Sequence, residues 1–147
     1  MSWPHNNVGL LRVCPPFTKN FKSVVLPINN HQWKTNDAAK FIYYDSQGKL
    51  TSIEAATLAD KECNALNLPN NWKAETEVCT VHRQGNTCIF PYYPLLLAKG
   101  QLAGAQTWGV CDESKTVSLT SEQFVDVAMY TKWIRKNSKI KMNKCLL

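Results

Sequence analysis

Cysteine is the residue type with the most informative chemistry in this sequence of 147 residues. The six cysteines are Cys14, Cys63, Cys79, Cys88, Cys111 and Cys145. Their number is even and no two of them form a Cys-x-x-Cys pair, which favours structural disulfides over metal or redox chemistry. The alternative is a zinc site at Cys79, His82 and Cys88, for which the sequence offers no clear fourth ligand. We therefore expect disulfides, no metal and no cofactor.

Paired carboxylates are the other residues whose spacing could support acid–base chemistry. They occur at Asp60 with Glu62, Glu75 with Glu77, and Asp112 with Glu113. Each pair is adjacent or alternating within a predicted loop or helix, which is typical of solvated surface. The sequence has no phosphate-binding loop, no glycine-rich dinucleotide fingerprint and no His-Glu-x-x-His motif. These observations exclude the common nucleotide-binding and metalloprotease signatures.

The positive charge is concentrated at the end of the chain. The formal net charge is +6, but residues 1–131 carry equal numbers of basic and acidic side chains. The excess lies in the last sixteen residues, which contain no acid; its members are Lys132, Arg135, Lys136, Lys139, Lys141 and Lys144. This basic tail is either a solvated helix face or a contact for an anionic glycan or membrane surface. Nucleic acid is not expected, because the tail lacks interleaved aromatic residues and the body lacks a basic stripe.

The elements that must position these residues are short. The sequence predicts strands at residues 7–13, 40–44, 50–55, 78–82, 95–98 and 102–108, an extended segment at 21–26, and a helix at 56–66. Two interpretations remain for the end of the domain: a helix opened by a capping box at residues 120–123, or a strand at 124–127 followed by a helix from about Tyr130. In that helix Tyr130, Trp133 and Ile134 share one face. The longest apolar stretch is about ten residues, far short of the roughly 20 that span a bilayer. The pattern is typical of an all-β barrel or sandwich.

Six segments of the chain carry a resemblance to a known family. In order they are HNNVGLLRV at 5–13, VVLP at 24–27, the pair Cys63 and Cys79, Cys88 followed by PLL at 94–96, TWGVC at 107–111, and YTKWI at 130–134. Together, at nearly the right spacing, they resemble the later two-thirds of a chymotrypsin-like (trypsin-like) serine protease, peptidase S1. The resemblance implies an all-β, chymotrypsin-like double β-barrel of which the second barrel is complete and the first mostly missing.

That resemblance also implies an organisation for the chain. Residues 1–27 correspond to the last strand of the first barrel and the start of the connector, residues 28–137 to the second barrel with its terminal helix, and residues 138–147 to the basic tail. Residues 1–7 cannot form a signal peptide, which conflicts with the oxidising compartment that disulfides imply. Either the protein is cytosolic with reduced thiols, or the chain as written lacks its natural beginning. The resemblance favours the second alternative, so we expect the natural protein to be longer and secreted, with a signal peptide upstream.

The family's disulfides can be carried onto this sequence by the same resemblance. It implies the bridges Cys63–Cys79 and Cys88–Cys111, and Cys14 and Cys145 are then paired as the two that remain. Another bridge of the family joins positions that fall here on Lys40 and about Leu97. Cysteine is absent from both of these positions, as expected if this bridge was lost.

The catalytic residues of the family are missing from the matching positions. The triad aspartate falls on Asn7, whose neutral amide cannot stabilise an imidazolium. The family's histidine lies upstream of this chain, and its nucleophile segment falls on residues 88–94, where no Ser, Thr or Cys follows Cys88. Pro91 and Tyr92 stand at the nucleophile, and proline has no N–H to donate to an oxyanion. We therefore expect an inactive homologue, not an enzyme.

A peptide-binding cleft is still implied by the resemblance. Asn86 falls at the floor of the specificity pocket and Glu122 near a glycine that lines it. The segment Thr107, Trp108 and Gly109 corresponds to a strand edge that pairs with extended peptides, for which only backbone groups are needed. Trp108 is alternatively an ordinary buried residue.

The inactive members of this family are commonly secreted and act by binding, as cofactors or decoys in protease cascades of immunity or reproduction. The resemblance therefore implies a protein or peptide partner. The alternative is a secreted adhesion protein that attaches to anionic glycans or membranes through its basic tail.

Overall fold

Six strands and two helices make up the part of the chain that the computed structural model describes, residues 8–11, 13, 20, 22–65, 73, 75–82, 94–109 and 120–138. In chain order they are β1 (Ala38–Tyr44), β2 (Leu50–Thr57), α1 (Asp60–Ala65), β3 (Glu77–His82), β4 (Leu95–Ala98), β5 (Gln101–Gly109), β6 (Thr120–Asp126) and α2 (Val127–Asn137).

The strands close into a barrel in the order β1-β2-β3-β6-β5-β4, with neighbouring strands antiparallel. Turn chemistry sets two of the hairpins. Between β1 and β2, the Asp45 carboxylate accepts from the N–H groups of Gln47 and Lys49, both at 2.9 Å. Between β4 and β5, Lys99 and Gly100 both have positive φ, as a two-residue hairpin turn requires. The strands and turns predicted at 40–55 and 95–108 are therefore confirmed.

Inward-facing side chains of all six strands fill the barrel. The core comprises Trp33, Ala39, Phe41, Tyr43, Ile53, Val78, Leu96, Ala98, Ala103 and Phe124. Phe41 and Phe124 stack across it with ring centroids 5.3 Å apart. Their complete burial supplies a large share of the apolar area that drives folding.

The strand β5 carries two irregularities that bend the barrel. Its register against β4 shifts between Leu96 and Leu97, and its register against β6 shifts between Gln106 and Trp108. Near the first of these Gly104 lies against Phe124, and a Cβ at Gly104 would lie 2.6 Å from the Cβ of Phe124. Glycine is therefore the residue that lets this aromatic core residue approach β5.

The segment before β1 ties the helix α2 to the barrel. Asn30 donates its N–H to the carbonyl of Ala128 at 3.1 Å, and the Asn29 side-chain oxygen accepts from the N–H of Lys132 at 3.2 Å. Nearer the start of the chain, Val25 forms a parallel bridge with Gln101 of β5. The polar connector predicted at residues 28–36 is thus anchored by hydrogen bonds at several points.

Two predictions about the helices need correction. The helix expected from residue 56 is wrong in its first part, because Ala56 and Thr57 continue β2 and pair with β3; α1 begins at Asp60. Strand pairing here overrides the local helix propensity of alanine. At the end of the domain the strand alternative is correct, although α2 begins at Val127 and not near Tyr130.

The packed face of α2 also differs from the predicted one. The helix buries Val127, Ala128 and Thr131, whereas Trp133 is 42% exposed. The connector contacts at Ala128 and Lys132 account for this orientation, since they fix which side of the helix faces the barrel.

The predicted strand at 7–13 does not form in its described residues. None of Val8, Leu10, Leu11 and Val13 belongs to a strand, and Leu11 is 90% exposed. A strand needs a neighbour for its N–H and C=O groups, and none pairs with these residues in the described part of the chain. No helix in that part is long and apolar enough to cross a membrane.

Candidate peptide-binding cleft

The ends of β5 and β6 bring together four of the five residues predicted to form the cleft. Trp108 lies opposite Gln123, and Gly109 lies opposite Glu122. Thr107 directly precedes them on β5 and is exposed. Although residues 110–119 separate the two strands in sequence, their backbones are hydrogen-bonded neighbours. Asn86, the fifth residue, lies outside the described residues.

Thr107 is the extra residue of a β-bulge. Gln106 pairs with Phe124 and Trp108 pairs with Gln123, so β5 advances two residues while β6 advances one. The Thr107 hydroxyl donates to the carbonyl of Gln123 at 3.3 Å, which fastens the bulge to β6.

Within the part of the chain that the structure describes, the two sides of β5 differ in pairing beyond Gln106. Pairing with β4 ends at Ala105, and the last bond on that side joins the N–H of Gln106 to the carbonyl of Pro94 at 3.1 Å. Beyond it, Trp108 and Gly109 pair with β6, Thr107 is the bulge residue, and none of the three pairs with β4 among the described residues. We call this three-residue segment the β5 edge; an added peptide strand binds to a strand edge of this kind where the edge is unpaired.

A disulfide joins α1 to β3, which lies on the far side of β6 from the β5 edge. Cys63 of α1 is bonded to Cys79 of β3, with Cα atoms 6.0 Å apart, and both residues are buried. Cys79 lies opposite Gln123 of β6, so the bridge ties α1 to β3, the neighbour of the strand that pairs with the edge. The bridge predicted between these cysteines is confirmed, and the zinc alternative is wrong for Cys79 because its sulfur is committed to the disulfide.

Two buried polar residues on β6 and β3 are not predicted from the sequence. Gln123 is 4% exposed and Thr80 is fully buried. Neither the Nε2 of Gln123 nor the Oγ1 of Thr80 has a hydrogen-bond partner within the described part of the chain. Thr80 lies in the strand predicted at 78–82, whereas Gln123 lies just before the strand alternative at 124–127. Neither prediction indicates that these two polar side chains are buried.

A buried carboxylate lies where β6 meets α2. Asp126 accepts hydrogen bonds from Trp33 Nε1 at 3.1 Å and from the N–H of Ala128 at 2.9 Å. Burial raises the pKa of Asp126 above its ordinary value, although these two hydrogen bonds and the positive charge of His31 counteract part of the increase. The His31 ring packs edge-on against Trp33, with centroids 4.5 Å apart. Both hydrogen-bond donors belong to the framework of the domain, so this carboxylate anchors the helix.

Three of the six paired carboxylates fit the surface role predicted for them, whereas Glu77 is half-buried in β3, and Asp112 and Glu113 lie outside the described residues. Asp60, Glu62 and Glu75 are exposed, and Glu62 accepts a hydrogen bond from Thr35 at 2.6 Å. Lys99 pairs with Asp37 at 2.6 Å. Burial raises the pKa of Asp37, but the hydrogen bond and charge of Lys99 and the N–H of Lys34 outweigh it, so the pKa is lowered overall.

Several predicted site residues fall outside the described residues. They are Asn7, Pro91 and Tyr92 of the degenerate triad, Asn86, the cysteines Cys14, Cys88, Cys111 and Cys145, and the tail residues Lys139, Lys141 and Lys144. The remaining basic residues, Lys132, Arg135 and Lys136, lie exposed on α2.

Comparison with solved structures identifies the fold. Kallikrein-related peptidase 10 matches with a TM-score of 0.65 and 18% identity over 84% of this chain and 60% of its own. Neuropsin, a serine protease expressed in the limbic system of mouse brain, matches with a TM-score of 0.61 and 19% identity over 84% of this chain and 57% of its own. An inactivated protease paralogue of the scabies mite matches with a TM-score of 0.60 and 18% identity over 82% of this chain and 54% of its own.

These similarities establish a chymotrypsin-like serine protease fold, represented here by one closed six-stranded barrel with a C-terminal helix. The predicted fold class is confirmed to that extent. The chain spans less than two-thirds of the length of each of these proteins. No protein-family profile and no curated protein sequence matches it.

Proposed function

We propose, from the chymotrypsin-like fold of this chain, that it is a non-catalytic serine protease homologue that acts by binding. Its ligand is an extended segment of a protein or peptide, which adds as a strand to the β5 edge. In this proposal the protein is secreted and regulates a protease cascade as a cofactor or decoy, in immunity or reproduction.

The observation that carries the proposal is the backbone edge of Thr107, Trp108 and Gly109. Among the described residues, strand β4 stops pairing at Ala105, while β6 continues to support β5 from the other side. A peptide placed along this edge would bond to backbone groups that are already fixed in a strand, so the protein itself loses little conformational entropy on binding. Such recognition needs no catalytic side chain.

The sequence supports the absence of catalysis. The aspartate position of the family corresponds to Asn7, and the nucleophile region contains Pro91 and Tyr92 in place of a hydroxyl nucleophile. A neutral amide, an imino acid and a phenol cannot together supply the proton relay and the attack that acyl transfer needs. One of the similar structures is itself an inactivated protease paralogue, which supports the interpretation that this fold can persist without its activity.

Secretion is supported by the chemistry of the cysteines. The Cys63–Cys79 bond is buried and joins two elements of the domain, so it serves the fold. Structural disulfides of this kind persist in oxidising compartments and are rare in the cytosol.

The test is a binding measurement with a library of fluorescein-labelled, unstructured hexapeptides, followed by amide hydrogen exchange. We expect binders to protect the amides of the β5 edge and to leave the Lys99–Gly100 turn unchanged. Alternate N-methylation of the bound peptide should abolish binding, because it removes the donors that strand pairing uses. Protection confined to another surface, or binding that is insensitive to N-methylation, would overturn the proposed mode.

A further inference from the structure

A short apolar segment before the connector has no strand partner in the described part of the chain. Its described members, which we call the 8–13 segment, are Val8, Gly9, Leu10, Leu11 and Val13. Leu10 is 47% exposed, Leu11 90% and Val13 42%. Removal from water would stabilise each of these side chains, and clustered exposed apolar residues mark surfaces that bind a partner. The 8–13 segment is therefore a candidate interaction element.

The residues of this segment favour a strand. Val8 and Val13 are β-branched, and the nearest prolines, Pro4 and Pro15, lie outside it. Its N–H and C=O groups form no backbone hydrogen bond with any residue that the structure describes. Backbone groups without a protein partner are available for pairing with another chain. The segment thus has the side chains and the free backbone groups of a strand that can be donated.

The β5 edge supplies the complementary half of such a contact. Trp108 and Gly109 pair with β6, and neither pairs with β4 among the described residues. Gly109 has no side chain, so it offers no steric obstacle to a leucine placed opposite it. The structure pairs no described member of the 8–13 segment with β5 of the same copy. A contact between the segment of one copy and the edge of another would satisfy both.

A second copy is the partner that this arrangement favours. Each copy carries one segment and one edge, so two copies can form two equal contacts. Such a reciprocal exchange has two-fold symmetry and closes on itself, as most homo-oligomers do. An unrelated protein bound at the edge would leave the exposed leucines of the 8–13 segment in water.

We propose that two copies of this chain form a dimer by exchanging their 8–13 segments, each of which adds as a strand to the β5 edge of the other copy. This inference rests on the proposed function, because it names a second copy of the chain as one ligand of that edge. It also regulates the site. An edge that holds the partner's segment cannot accept another peptide, so dimer formation and peptide binding exclude each other.

The first test is sedimentation equilibrium of the full chain over about a hundredfold range of concentration, across which the average mass should rise from one chain towards two. Loss of one buried leucine weakens each contact about tenfold, so Leu11→Gln should raise the dissociation constant of the dimer about 100-fold. The matched control is Leu50→Gln, which removes a leucine that is 58% exposed on β2 and should dimerise like the unaltered chain. Urea unfolding should show that both variants fold.

The second test is competition. The synthetic peptide VGLLRV, which has the sequence of residues 8–13, should return the dimer to single chains. The same peptide with alternate N-methylation should not, because it lacks the donors of strand pairing. Amide hydrogen exchange should show the β5 edge protected in the unaltered dimer and unprotected in Leu11→Gln.

The outcomes separate this inference from the proposed function. A single-chain mass at every concentration would overturn the exchange, and the proposed function would stand if library peptides still protect the β5 edge. Species larger than a dimer, or equal weakening in Leu11→Gln and Leu50→Gln, would also overturn it. If neither a second copy nor any peptide protects the edge, both proposals are wrong.

Discussion

The indole nitrogen of Trp33 donates a hydrogen bond of 3.1 Å to the carboxylate of Asp126, which lies 93 residues further along the chain. The same carboxylate oxygen accepts the N–H of Ala128 at 2.9 Å and so caps α2. One buried oxygen therefore joins the connector, the last strand and the terminal helix. The stability of the domain should depend on this group and on its protonation.

The Asp126→Asn variant tests the pH dependence that follows. Burial raises the folded-state pKa of Asp126 above its ordinary value of 3.8, so the folded protein binds this proton more tightly than the unfolded chain. The stability that the carboxyl contributes is therefore complete below that value and is lost as the pH rises through the folded pKa. Asparagine keeps an oxygen acceptor without titrating, so the stability of the variant relative to the unaltered protein should increase as the pH rises from 3.8 through the folded-state pKa of Asp126.

Urea unfolding of the unaltered and Asp126→Asn proteins across this pH range is the measurement. The control is Asp126→Ala, which removes the cap and leaves the Trp33 N–H without its acceptor; it should lose about 2 kcal/mol or more at every pH. Parallel stability curves for the unaltered protein and the Asp126→Asn variant would contradict a raised pKa.

Removal of the Cys63–Cys79 bond should destabilise the domain substantially. The bond closes a loop with a sequence separation of 16 residues, for which the chain-entropy relation gives about 3 kcal/mol. The free energy of unfolding of the Cys63→Ala/Cys79→Ala variant should be lower by that amount, so the variant should unfold at a lower urea concentration. A loss below about 1 kcal/mol would mean that the bond adds little beyond the packing of α1.

A new disulfide should form between β1 and β4. Lys40 and Leu97, the two positions where the family carries a bridge, lie directly opposite each other in the β1–β4 register. The variant Lys40→Cys/Leu97→Cys should oxidise spontaneously, with a mass decrease of two hydrogens, and gain up to about 4 kcal/mol because the loop is long. Pairing Lys40→Cys with Leu95→Cys is the control; Leu95 lies opposite Ile42, so that pair should stay reduced.

The close approach of Phe124 to β5 makes Gly104 sensitive to substitution. A Cβ at this position would lie 2.6 Å from the Cβ of Phe124 and 3.0 Å from the carbonyl oxygen of Val125. Gly104→Ala should therefore cost about 1–3 kcal/mol of folding stability through overpacking. Gly9→Ala is the matched control, because nothing lies within 4 Å of the added methyl group, and it should be neutral. A Gly104→Ala protein as stable as the control would show that β5 can move away from Phe124, and would contradict the predicted overpacking.

The barrel was predictable from sequence because its signals are local. The turn at Asp45 and Gly48 separates two alternating segments, and Lys99-Gly100 separates two more, so four strands follow from turn chemistry and period. The Cys63–Cys79 bridge followed from the resemblance. Helix α1 was placed too early because pairing of Ala56 and Thr57 with β3 is a non-local interaction that outweighs propensity.

The parts that sequence did not predict depend on contacts between distant segments. The sequence predicts a polar connector at residues 28–36, yet Trp33 within it is buried at 7% exposure because Asp126 supplies its hydrogen-bond partner. Trp108 and Gln123 are neighbours because of the register between β5 and β6, and the bulge at Thr107 determines that register. Neither periodicity nor the resemblance indicated the buried amide of Gln123.

The most direct test of the proposed function is reaction of the native full chain with a fluorophosphonate probe, which labels activated serine nucleophiles. An active trypsin-like protease is the positive control, and the heat-denatured chain sets the background. We predict labelling no higher than that background, because Asn7, Pro91 and Tyr92 supply neither a proton relay nor an attacking hydroxyl. Labelling of the native chain above that background, at whichever residue mass spectrometry locates it, would contradict the proposal that this protein acts only by binding.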